Sequence, residues 1–113
     1  MPVTMYHNPR CNTSRRTLAL LRERGVEPEI IEYLKTPPSG PELRQILGQL
    51  KIPAARLLRK KEAAAAGIDP KALSEDQLIA AMVENPIVIE RPIVVSGGKA
   101  ALGRPPEAVL SVI

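Results

Sequence analysis

An α/β fold ordered β-α-β, then helices, then β-β-α is predicted by three features of the sequence. Two short strand-like runs, residues 2–6 and 29–34, flank one amphipathic segment at roughly 12–24. The middle of the chain, about 41–85, carries apolar residues at helical spacing. After it, two more strand-like runs meet at a Gly-Gly pair, and a proline-led apolar segment closes the sequence.

Each element has a local reason. "PVTMY" (2–6) alternates weakly and runs into the turn-forming "HNP", so a strand should end there in a loop. In the segment 12–24, Leu18, Leu21 and then Val26 mark an apolar side, opposed by Arg15, Arg16, Arg22, Glu23 and Arg24, and Gly25 is placed to end the helix. "EIIEYL" (29–34) is a β-branched run bounded by Pro28 and "KTPPSGP", and two strands joined by one helix in a single sheet should be parallel with a right-handed crossover. Pro41 suits the first turn of a helix that buries Leu43, Ile46, Leu47 and Leu50. Residues 53–67 read as one further helix, rich in alanine and stopped by Gly67. Ser74 with Gln77 forms a capping-box signature ahead of "LIAAMVEN", which Pro86 closes. "PIVV" (92–95), Gly97-Gly98 and "KAAL" (99–102) read as an antiparallel hairpin, and "RPPEAVLSVI" as a terminal helix. This order is the thioredoxin-like arrangement with a helical insertion between its halves.

Length and composition set limits on function. At 113 residues the chain is expected to form one domain spanning 1–113, with the insertion at about 41–85. No apolar run approaches the ~20 residues of a membrane span, and the N-terminus lacks the basic-then-apolar pattern of a secretory signal, so the cytoplasm is the expected location. The excess of 16 Lys and Arg over 12 Asp and Glu is too small to argue for nucleic acid, and without Phe or Trp the chain lacks stacking platforms for single strands. A small anion suits this charge better.

The only cysteine, Cys11, lies in "HNPRCNTSR" at the predicted start of the first helix. The thiolate is the nucleophilic form, and a helix N-terminus, with roughly half a positive elementary charge, favours it, as do nearby cations. Arg10, Arg15 and Arg16 supply such cations, and Ser14 is placed to donate a hydrogen bond to the sulfur. The same surroundings attract a tetrahedral oxyanion. The competing reading is a small buried apolar residue, inert as most free cysteines are. "CNTS" is not Cys-x-x-Cys, so any redox partner thiol must come from outside the chain. A phosphatase-like loop is excluded, because Thr17 rather than Arg stands six residues after Cys11. His7, the only histidine, is a candidate to stabilise the thiolate or move a proton, and equally a candidate turn residue. Asn8 and Pro9 are read as shaping the turn. No metal ligand set is expected.

"HNPRCNTSR" resembles the active-site motif of the glutaredoxin-linked arsenate reductases. "YLKTPPSGPELRQIL", "LLRKKE", "NPIVIERPIVV" and "LGRPPEAVL" resemble further segments of that family, in the same order and over nearly the whole chain. The resemblance implies that Cys11 attacks arsenate and forms a covalent adduct. Glutathione is then the cosubstrate, with no bound cofactor, and glutaredoxin the partner that completes reduction to arsenite. It also implies that Arg59, Arg91 and Arg104 hold the oxyanion, although singly each reads as surface charge. An arginine fork offers paired donors to paired oxygens and keeps its charge. Pro92 falls where thioredoxin-like folds carry a cis-proline beside the active cysteine, so Arg91-Pro92 is expected to be cis, with Pro92 a wall of the site. Arg91 and Arg104 are both expected to face solvent. Two alternatives on the same fold are a glutathione-dependent thiol reductase using Cys11 alone and a non-enzymatic polymerase-binding regulator. The latter is disfavoured because Ser14 removes its Cys-x-x-Cys switch.

Overall fold

The computed structural model describes residues 2–113. The chain divides into two compact units, one made of the sequence through Thr36 together with Arg91–Ile113, the other of Pro37–Glu90.

The first unit holds the sheet. Strands β1 (Val3–His7), β2 (Glu29–Glu32), β3 (Ile93–Ser96) and β4 (Lys99–Leu102) lie in the order β2-β1-β3-β4. β1 and β2 are parallel across helix α1 (Asn12–Glu23), whereas β3 runs antiparallel to both β1 and β4. Period-two alternation decides which side chains form the core. Met5 stands opposite Val94, and Val94 opposite Ala101, so one face presents a row of apolar side chains. Met5, Leu21, Val94 and Val109 are fully buried together, with Val3, Leu18, Val26, Ala101 and Val112 packed around them. α1 ends with Gly25 at φ 76, and Val26 N–H donates to Leu21 O at 2.9 Å, the expected left-handed stop. β2 is shorter than its β-branched run, because Glu32 O accepts from both Lys35 and Thr36 N–H and turns the chain there.

The second unit is helical: α2 (Gly40–Leu50), α3 (Ala54–Leu57), α4 (Lys60–Ala65), α5 (Glu75–Glu84) and a 3-10 turn, Pro86–Val88. Ser39 with Glu42 and Ser74 with Gln77 form full capping boxes on α2 and α5, which pack together through a side that buries Leu43, Ile46, Leu47, Leu78, Ile79 and Met82.

Three expectations need correction. The single helix over 53–67 is two helices, broken at Leu58 and Arg59, which are extended. Leu57 and Leu58 are both buried, which adjacent positions on one helix face do not easily achieve. The extended link instead bonds sideways, with Leu58 bridging Ile89, Arg59 N–H donating to Val88 O at 2.8 Å and Glu90 N–H to Leu57 O at 2.7 Å. Pro86 does more than close α5, since it opens the 3-10 turn. The C-terminal helix is 3-10, Pro106–Ser111, seated on α1 and β4 through buried Pro106 and Val109.

Candidate active site

The Cys11 loop is built by local hydrogen bonds. Asn8 O accepts from Cys11 N–H at 3.0 Å, closing a turn over Pro9 and Arg10, while Asn8 Oδ1 accepts from Arg10 N–H at 3.0 Å. Cys11 is therefore delivered to the N-cap of α1 with extended dihedrals, φ −91 and ψ 123, and its carbonyl accepts the first helical bond from Arg15 N–H. Its side chain is 8% exposed and forms no side-chain cap. Arg15 extends its guanidinium back along the loop, donating to Pro9 O at 3.2 Å and to Asn12 Oδ1 at 3.0 Å. It braces the turn that leads into Cys11.

Ser14 does not serve the sulfur as expected. It lies on the inner stripe of α1 with Thr17 and Leu21, all fully buried, facing the side of β1 that carries Val3, Met5 and His7. Ser14 Oγ and His7 Nδ1 share a 2.7 Å hydrogen bond, whose direction follows the imidazole tautomer, and Asn8 N–H donates to the same Oγ at 3.1 Å. The hydroxyl thus ties strand, loop and helix to one another. His7 is buried at 6%, and desolvation is the largest influence on it, lowering its pKa below the usual 6.5; Glu32 opposes this, while Arg22 and Arg15 reinforce it.

The cation that meets the sulfur comes from the far end of the chain. Arg104 Nη2 donates to Cys11 Sγ at 3.7 Å, and its Nε donates to Arg91 O at 2.8 Å. One guanidinium thus links the thiol to the backbone just before Pro92. Arg91-Pro92 is cis, as expected, and Arg104-Pro105 is cis as well, which the sequence reading did not anticipate. Pro92 is fully buried. The shared solvent exposure expected of the two arginines holds for Arg104 only, since Arg91 is 9% exposed. Arg59 belongs to the helical unit, where it precedes α4 and pairs with Glu62 at 3.0 Å.

Sequence reasoning used Thr17 only to exclude a phosphatase-like loop and passed over Gly103. Gly103 N–H donates to Pro92 O at 2.9 Å. Its only signal was position, one residue before Arg104. Among the described residues no three His, Cys, Asp or Glu side chains gather as a metal site, and no helix is long and apolar enough to cross a membrane.

A lone thiol at a helix N-cap, touched by an arginine that also bonds the backbone just before a cis-proline, defines a monothiol site on a thioredoxin-like fold. The model of the ArsC family matches residues 6–112, and the chain belongs to that family. YfgD of Escherichia coli K12, described as uncharacterized, is 52% identical over 98% of this chain and 96% of its own length. The arsenate reductase of Rhizobium meliloti strain 1021 is 43% identical, over 100% of this chain and 82% of its own. The structure of an arsenate reductase from Vibrio cholerae superposes with a TM-score of 0.90 at 46% identity, covering 100% of this chain and 98% of that one.

Proposed function

We propose that the chain is an arsenate reductase whose nucleophile is Cys11. The observation that carries this is the 3.7 Å contact of Arg104 Nη2 with Cys11 Sγ at the start of α1, which gives one place both a thiol and the positive charge an oxyanion needs. Arsenate reductases named among its relatives are 42–43% identical to it over the aligned residues, which supports the substrate.

The Cys11 sulfur attacks arsenic, and one arsenate oxygen leaves as water once protonated. Arg104 and Arg91, both of the sheet unit, balance the charge on the remaining oxygens. Reduction from As(V) to As(III) takes two electrons, which two thiols supply by becoming a disulfide. With one cysteine in the chain, the second thiol is external, and glutathione followed by glutaredoxin fits that requirement. Both belong to a reducing compartment, which favours the cytoplasm. His7, Ser14, Asn8 and Arg15 hold the loop that presents the sulfur, and Pro92 walls the site.

Arsenate-dependent NADPH oxidation, coupled through glutathione, glutathione reductase and a glutaredoxin, tests the reading. Turnover is expected with the native chain and none with Cys11→Ser. Equal turnover by the two proteins would sink it. Turnover of a glutathione mixed disulfide without any response to arsenate would replace it with the thiol-reductase reading.

A further inference from the structure

We infer that Gly103 is a positioning residue, whose missing side chain lets the loop after β4 close on α1 and so seats Arg104 against Cys11. The inference rests on the reading that Arg104 supports the thiolate. Gly103 is buried between Pro92 at the head of β3 and Thr17 of α1, one residue before the arginine that touches the sulfur. A Cβ added there would stand 2.6 Å from Pro92 Cγ, 2.6 Å from Thr17 Oγ1 and 3.1 Å from Thr17 Cγ2. None of these neighbours is the loose end of a flexible chain. Pro92 is a ring held at the head of β3, and Thr17 Oγ1 is fixed by donating to Thr13 O at 2.9 Å within α1. The constraint is space rather than conformation, since Gly103 is not among the glycines at positive φ.

The consequence runs through the backbone. Gly103 N–H is bonded to Pro92 O, and the next residue sends Nε to Arg91 O and Nη2 to the sulfur. α1 and the Arg91-Pro92 segment are both fixed on the sheet side, so a side chain at 103 is relieved most readily by moving the loop that carries Arg104 outward. A displacement of a few tenths of an ångström lengthens a contact already at 3.7 Å, and charge-assisted bonds weaken with distance.

The test compares the native chain with Gly103→Ala, Thr17→Ala, the Gly103→Ala/Thr17→Ala pair and Arg104→Gln. The readout is the iodoacetamide alkylation rate of Cys11 at pH 7 relative to its high-pH plateau, which reports the thiolate fraction, together with thermal stability. Arg104→Gln should lower that fraction about fivefold, the scale of the net contribution of one ordinary hydrogen bond. Gly103→Ala should lower it in the same direction. In the Thr17→Ala background the effect of Ala at 103 should be smaller but still present, because only the Pro92 contact remains. That background also carries the comparison if Gly103→Ala alone fails to fold. An Ala at 103 that leaves the fraction unchanged in the folded proteins, or lowers thermal stability alone, overturns the inference. If Arg104→Gln itself changes nothing, the reading of Arg104 fails first, and the two failures are told apart.

Discussion

At the scale of single residues, the two site arginines differ in what they hold. Arg91 is 9% exposed, so Arg91→Ala removes a buried cation from its partners and leaves a void. It should cost about 2 kcal/mol or more of unfolding free energy by denaturant titration, as well as activity. Arg104 is exposed beyond its contacts, and Arg104→Ala should reduce arsenate turnover at least tenfold while changing stability by less than about 1 kcal/mol. His7 gives a pH signature. Its native pKa lies below 6.5 and its unfolded value near 6.5, so between them the unfolded chain binds more protons. The contribution of His7 is therefore fully present above that window and is lost as pH falls through it. Denaturation midpoints measured from pH 7 downward should fall, with a shallower slope in His7→Gln. The only imidazole in the chain gives a single NMR titration to set beside them. Little of this was legible beforehand: the sequence marked His7, Ser14, Arg91 and Arg104 as site candidates, but not that Ser14 turns to His7 or that Arg91 is buried. The first outcome depends on which sides of α1 and β1 Ser14 and His7 occupy, and the second on the packing around a residue just before β3.

Among the secondary-structure elements, the helix starts were the most legible feature, because a capping box is written within four residues. Ser39→Ala and Ser74→Ala should each cost about 1 kcal/mol, measured by urea titration. α2 and α5 pack together, but the two caps make no shared hydrogen bond, so the costs should add to within about 0.5 kcal/mol. The hairpin was legible for the same reason, since Gly97 and Gly98 both take positive φ, 56 and 81, in the turn between β3 and β4. The break at Leu58 and Arg59 was not. Alanine-rich sequence on both sides favours a continuous helix, and only the backbone of residues 88–90, bonding to residues 57–59, makes the extended link preferable. The 3-10 form of the last segment is likewise settled by Pro106 and Val109 packing on α1 and β4.

For the whole molecule, a single cysteine sets the stoichiometry of the chemistry. Without an external thiol the chain should release no arsenite, whereas a reductase with its own resolving cysteine would release one equivalent. Trapping arsenite from a stoichiometric mixture of protein and arsenate, with and without glutathione, checks this. By itself the sequence determined the order of the elements, the cap of α5, the place of Cys11 at the head of α1 and that any second thiol for its redox chemistry must be foreign. Periodicity, capping and cysteine count are local properties that need no partner from elsewhere in the chain. Only the tertiary structure decided that Arg104, 93 residues from Cys11, touches its sulfur, that His7 takes the hydroxyl of Ser14, and that Gly103 must stay bare beside Thr17 and Pro92. Those are distances between separate elements, fixed when the sheet and α1 close on one core, and local pattern alone does not set them.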